Sequence, residues 1–159
     1  MPVETVRAYL DQFGRGSDIL EFEVSSATVA LAAEAVGVIP ARIAKTLSFA
    51  REEGCILVVA AGDARIDNAK FKSQFGLKAK MLAPEDALRL TGHAVGGVCP
   101  FALDSTACQV YLDESLRRFE TVYPAAGSAS SAIRLTCEEL REYSRAAAWV
   151  DVCKDWQKE

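Results

Sequence analysis

The run "CILVVAA", residues 55–61, constrains the fold more than any other feature of the chain. Successive side chains of a strand point to opposite faces, so a run apolar at every position needs cover on both faces. It therefore reads as the central strand of a sheet. The preceding "KTLSFA", residues 45–50, is set off from it by "REEG", a spacing that makes the two a hairpin.

Around this hairpin the pattern mixes helices and strands. Val3, Val6, Leu10 and Phe13 recur at helical spacing before Gly14, and "DILEFEV" alternates as a strand. "SSATVALAAEAVG" reads as a helix with Ser25 and Ser26 as N-caps and Gly37 as its stop. "DNAKFKSQFG" and "APEDALRLTG" are short helices opened by Asp67 and Pro84 and closed by Gly76 and Gly92. "CQVYLDE", "FETVYPA" and "SAIRLT" read as strands, "CEELREYS" as a helix and "AWVDV" as a last strand. There is no regular βαβ alternation. The expected fold is a single α+β domain over residues 1–159, with a mixed, partly barrel-like sheet surrounded by helices.

Composition narrows the function. Half of the 159 residues are apolar, enough for a real core, yet no run approaches the roughly 18–20 apolar residues of a bilayer span. The N-terminus lacks the basic and apolar regions of a secretory signal, so a cytoplasmic location is expected. The 5 cysteines are odd in number and form no Cys-x-x-Cys pair, so reduced, buried thiols are expected and no metal site. The single histidine, His93, leaves one possible imidazole base, which makes hydrolytic triads a poor fit. A net charge of −4 argues against a general binder of phosphate backbones, DNA included. Charge is nevertheless uneven: Arg65, Lys70, Lys72, Lys78 and Lys80 face one acid, Asp67, within "RIDNAKFKSQFGLKAK". That stretch is either a solvated helix face or a landing patch for a polyanion.

Three places could carry chemistry. Lys45 shares a strand face with Leu47 and Phe49, so its ammonium must either reach water or meet an anion, and a ligand phosphate or ligand carbonyl could serve as that partner. In "HAVGGVCPFAL", residues 93–103, Gly96 and Gly97 let a ligand approach the main chain, and Pro100 holds Cys99 extended. Such a loop offers the Val98 and Cys99 N–H groups to a carbonyl or oxyanion, although a tight turn would look the same. Cys99 as a nucleophile would need an activating base, and nothing in the spacing places the ring of His93, read as a surface or loop residue, beside it. Farther on, Asp113 caps the "ESLRR" turn or faces a site, and Gly127 makes a turn in "PAAGS".

Taken together, "IAKTLSF", "AGDARIDNAKFKSQFG", "LTGHAVGGVCPFAL", "VYLDESLRRFETVYPAAGS" and "AIRLTCEELREY" resemble the YbaK family. This family comprises free-standing aminoacyl-tRNA deacylases and the editing insertion of bacterial prolyl-tRNA synthetases. The resemblance runs in order over about residues 20–153. It implies trans-editing: hydrolysis of the ester between a wrong small amino acid (cysteine, alanine, serine or threonine) and the 3′ acceptor end of a tRNA, first of all a proline tRNA. Neither cofactor, metal nor covalent intermediate is implied, and no membrane. A prolyl-tRNA synthetase is the implied protein partner. Lys45 matches the family's essential lysine, and Gly96 to Pro100 its Gly-x-x-x-Pro loop, with Gly96 the catalytic glycine and Gly97, Val98, Cys99, Pro100 and Phe101 at the substrate. Asp113 and Gly127 match positions lining the same pocket, and Arg65, Lys70 and Lys72 would meet the nucleic acid. Many relatives carry serine or proline at the place of Cys99, and others glycine at the place of Ala102. The alternative from another class is a non-catalytic module that grips acceptor ends or a synthetase.

Overall fold

A computed structural model describes residues 2–26, 28–94, 97–104 and 106–156. In chain order the elements are α1 (Pro2–Asp11), β1 (Leu20–Glu21), α2 (Val29–Val36), β2 (Ile43–Ala50), β3 (Cys55–Ala61), β4 (Arg65–Ile66), α3 (Asn68–Phe75) and α4 (Pro84–Thr91). There follow β5 (Cys108–Asp113), β6 (Thr121–Pro124), β7 (Ser131–Ala132), β8 (Leu135–Thr136), α5 (Cys137–Ser144), β9 (Ala148–Val150) and β10 (Cys153–Lys154). Six strands form the main sheet in the order β8-β6-β2-β3-β5-β9, mixed in direction and curled into a half-barrel.

All seven residues of β3 are buried, as the apolar run requires, and β3 lies antiparallel to β2 and parallel to β5. Register puts Lys45, Leu47 and Phe49 on one face with Ile56, Val58 and Tyr111. The helix α3 covers this face, with Phe71 4.7 Å from Phe49 and Phe75 4.9 Å from Tyr111, ring to ring. The turn after α1 packs on α5 through stacked Phe13 and Tyr143, 4.3 Å apart, and Tyr9 of α1 donates to the Tyr143 carbonyl. Thr136 and Glu139 close a capping box that fixes where α5 begins.

Three expectations are corrected. "DILEFEV" contributes only the two-residue β1, paired with β7, because its alternating apolar residues find no sheet to cover them: Leu20 is 42% and Val24 64% exposed. α2 starts at Val29 and is capped by Thr28, whose hydroxyl accepts from Leu31 N at 3.1 Å, rather than by Ser25 or Ser26. "SAIRLT" splits into β7 and β8, which pair with β1 and β6 respectively.

Candidate functional site

The outer edge of β2 is covered at both ends and open between them. At one end β6 pairs with Ile43 and Ala44 alone. At the other, Leu82 N donates to Ser48 O at 3.1 Å and Ala50 N to Lys80 O at 2.8 Å. Main-chain groups alternate along a strand, so the N–H and C=O of Thr46 point to this same edge, in the interval between the two pairings. A groove of about 330 Å³ opens there, walled by Val29 and Ala32 of α2, by Leu82, and by Val98, Tyr123 and Ala125. Lys45 and Thr46 supply polar groups to an otherwise largely apolar lining. Thr46 Oγ1 is buried and has no hydrogen-bond partner among the described residues.

Lys45 stands half-buried in this groove. Its ammonium donates to the carbonyls of Ala64 and, at 3.4 Å, Gly62, so main-chain oxygens of its own chain, which the sequence did not suggest, take up two of its donors. Burial lowers its pKa from the ordinary lysine value, against the opposing influence of Cys153 and Asp63. The turn that supplies these carbonyls is held on two sides. A Cβ on Gly62 would sit 2.1 Å from the Pro40 carbonyl oxygen, so only glycine lets the turn pack there. Asp63 is gripped by the Arg118 guanidinium through two bonds of 2.6 and 2.9 Å.

The segment 97–101 crosses the same region, but most of its side chains turn inward. Val98 lines the groove, whereas Cys99 and Phe101 are fully buried and Pro100 lines a separate cavity beside Ala102. The expected substrate contacts of Cys99, Pro100 and Phe101 thus do not come from groove-lining side chains. Gly97 is needed for proximity to another loop: a Cβ there would lie 2.7 Å from Ser128 Cα. Gly127, at φ +100°, makes the turn that brings Ser128 to that place, next to the groove residue Ala125. Gly96 lies outside the described residues. Ala102 adopts φ 57°, a left-handed conformation that suits the glycine others carry there.

Two readings of the loop are corrected. His93 is not a surface residue but 1% exposed, and its Nε2 lies 3.5 Å from Cys99 Sγ. The pair is nevertheless no nucleophile and base. Nε2 also meets the Phe101 carbonyl at 2.9 Å, and a carbonyl only accepts, so the proton sits on Nε2 and that nitrogen has no lone pair for a thiol proton. Burial pushes the Cys99 thiol up to about 12 and holds His93 below its ordinary value.

Asp113 is fully buried and does not line the groove. Its carboxylate accepts from Ser115 N and from Val152 N, both at 2.9 Å, which makes it the cap of the "ESLRR" turn and an anchor for the chain entering β10. The thiol of Cys153 neighbours it, and burial together with Asp113 raises the pKa of that thiol against the opposing influence of Lys45.

Of the basic residues, Lys70 is committed to Asp151 at 3.1 Å and to the Cys153 carbonyl at 3.1 Å. Arg65, Lys72, Lys78 and Lys80 are exposed, and Lys80 adjoins Met81 at the groove. Sequence reasoning missed Thr46, Gly62, Tyr123 and the α2 wall. Gly62 had a local signal, a Gly-Asp turn directly after a fully apolar strand; the others become neighbours only through the sheet order.

The chain is similar to several known proteins. The chain is 56% identical to the uncharacterised protein YwhH of Bacillus subtilis (strain 168), over 99% of this chain and all of the other. It is 32% identical over 78 residues to the proline–tRNA ligase of Thermotoga sp. (strain RQ2), a match covering 48% of this chain and 14% of the ligase. A crystal structure described as a candidate trans-editing enzyme for prolyl-tRNA synthetase superposes with a TM-score of 0.86 at 32% identity, covering 96% of this chain and 97% of that one. Among the described residues, no helix is long and apolar enough to cross a membrane. The family model for the aminoacyl-tRNA editing domain matches residues 23–143, and the chain belongs to that family.

Proposed function

We propose that the protein is a free-standing aminoacyl-tRNA deacylase of the cytoplasm, which hydrolyses the ester joining a wrong, small amino acid to the 3′ end of a tRNA. The observation that carries this reading is Lys45, a half-buried ammonium in a small apolar groove beside the open edge of β2. An ammonium has three donors; two go to Gly62 and Ala64, and the third serves a ligand oxygen, the ester carbonyl or a phosphate. An aminoacyl ester is already activated, so a positioned water and a polarised carbonyl suffice, and no protein nucleophile is needed. Thr46, Val98 and Cys99 would offer main-chain donors for the same carbonyl. The alanine and valine walls fit a side chain of the size of alanine, serine, cysteine or threonine. The similarity to a proline–tRNA ligase makes proline tRNA the first substrate to try and prolyl-tRNA synthetase the first partner. Exposed Arg65 and Lys72 would meet the tRNA backbone, with Lys80 nearer the groove.

The test is a deacylation panel: proline tRNA charged with alanine, cysteine, serine, threonine or proline, incubated with wild-type protein and with Lys45→Ala. Rapid loss of a noncognate ester, abolished in the variant, is the expected result. Esters that survive as long as in buffer, with tRNA still bound, would replace this reading by a non-catalytic acceptor-end module.

A further inference from the structure

Cys55 and Cys108 are far apart in the chain but open neighbouring parallel strands, β3 and β5, and register pairs them directly. Opposed residues of a sheet share a face, and their sulfurs lie 3.2 Å apart. The backbone is arranged to allow this. Cys55 N donates to Ala107 O at 2.9 Å, and a Cβ on Gly54 would sit 2.1 Å from that same oxygen, so glycine lets the two strand starts close on each other. Cys108 Sγ in turn donates to the carbonyl of Leu90, in the last turn of α4, at 3.1 Å. Cys108 also lines a cavity of about 230 Å³, together with Pro100, Ala102 and Arg145, wide enough for a small oxidant. The other three cysteines have different surroundings: Cys99 lies against His93, Cys137 donates to the Leu116 and Phe119 carbonyls, and Cys153 neighbours Asp113.

We propose that Cys55 and Cys108 are a two-electron redox site that closes to a disulfide on reaction with hydrogen peroxide and reopens on reduction. One thiolate of the pair attacks a peroxide oxygen; the O–O bond breaks, and hydroxide leaves and takes up a proton to become water. The resulting sulfenic acid is attacked by the second sulfur, which forms the S–S bond and expels a second water. Two thiols thus lose two electrons, and one peroxide becomes two waters. The hydrogen bond that Cys55 shares with Cys108 lowers the Cys55 pKa, whereas Cys108 is held up by its neighbour and by burial, so Cys55 is the sulfur that ionises first. Closure to the roughly 2.05 Å of an S–S bond draws Cys108 Sγ away from Leu90 O. That releases the end of α4, which precedes in the chain the groove residue Val98. A disulfide of this kind in a cytosolic protein acts as a sensor rather than a staple.

The experiment is peptide mapping under non-reducing conditions of the whole, reduced protein before and after titration with hydrogen peroxide. The expected product is lighter by two hydrogen atoms, carries a Cys55–Cys108 link, reverts with dithiothreitol, and exchanges amide hydrogens faster around residues 90–94. The wild-type map decides the matter even if Cys108→Ser folds poorly. Recovery of Cys55 and Cys108 as free thiols or as separate oxyacids, or linkage of either to another cysteine, would overturn the proposal. None of these readouts depends on deacylase activity.

Discussion

Replacing Asp113 by alanine separates its structural work from any role at the substrate. The carboxylate accepts from Ser115 N and Val152 N at 2.9 Å each, and the side chain is fully buried. Alanine leaves two main-chain donors that no water can reach. Each such loss costs about 1–3 kcal/mol, and the Ser115 contact is also a helix cap, so a destabilisation of about 3–5 kcal/mol follows. Against the roughly 5–15 kcal/mol stability of an ordinary domain this is a large fraction. Asp113→Asn keeps one accepting oxygen but turns an amide group toward a donor, and should cost about 2 kcal/mol. Urea unfolding followed by tryptophan fluorescence reads both, since Trp149 pairs with Leu112, next to Asp113 in β5. The deacylation rate per folded molecule should stay within about twofold of wild type, because Asp113 does not line the groove. If Asp113→Ala unfolds at the wild-type urea midpoint while hydrolysis is lost, the carboxylate acts on the substrate and the structural account fails. Should alanine prevent folding, the asparagine variant carries the same comparison.

Gly97→Ala would place a Cβ 2.7 Å from Ser128 Cα, a main-chain atom with little freedom to move, and should lower stability by about 1–3 kcal/mol; an unchanged thermal midpoint would refute the close-packing account. Ala102→Gly relieves a left-handed alanine at φ 57° and should raise stability by about 0.5–1 kcal/mol, with a fall in the thermal midpoint as the contrary result. His93, held below its ordinary 6.5 by burial, gives the chain's one imidazole resonance, whose midpoint in the folded protein should lie below 6.5. Between that midpoint and 6.5 the unfolded chain binds more protons, so His93 withdraws stability as pH falls through this window and leaves stability constant above it. A folded-state midpoint at or above 6.5 would contradict the buried neutral ring.

Much of the scaffold was legible because its signals are local. Asp67 caps α3 through its own side chain, Pro84 opens α4, and the unbroken apolar run of β3 admitted no place but the interior of a sheet. Lys45 was legible for a related reason: a period-two argument needs only the strand itself, and a lysine opposite Ala60, on a face shared with Phe49, conflicts with its surroundings wherever the rest of the chain lies. "DILEFEV" carries an equally good alternation and makes only two strand residues, because alternation expresses a strand only when a sheet offers one face cover, and here the strand that pairs with it is the two-residue β7.

The site itself was less legible, because sequence names a residue's capacities and not the use made of them. Three glycines mark the difference. Gly127 uses its conformational freedom, at φ +100°, while Gly62 and Gly97 use only their lack of a side chain, one against the Pro40 carbonyl and the other against Ser128. "Gly-Gly" in a loop next to a proline suggested a backbone bared to a ligand; for Gly97 the bare surface faces another loop of the same chain. His93 and Cys99 show the same limit in reverse. Six residues apart, they suggest no contact, yet the loop returns the ring to within 3.5 Å of the thiol. The Phe101 carbonyl then settles the tautomer and takes away the base that proximity alone would have implied. Distance brings two groups together, but the third group that fixes the proton decides whether they can react. By that criterion Cys99 is packing, and the charged group that the groove retains is Lys45, whose carbonyl partners at Gly62 and Ala64 orient its ammonium without removing its charge.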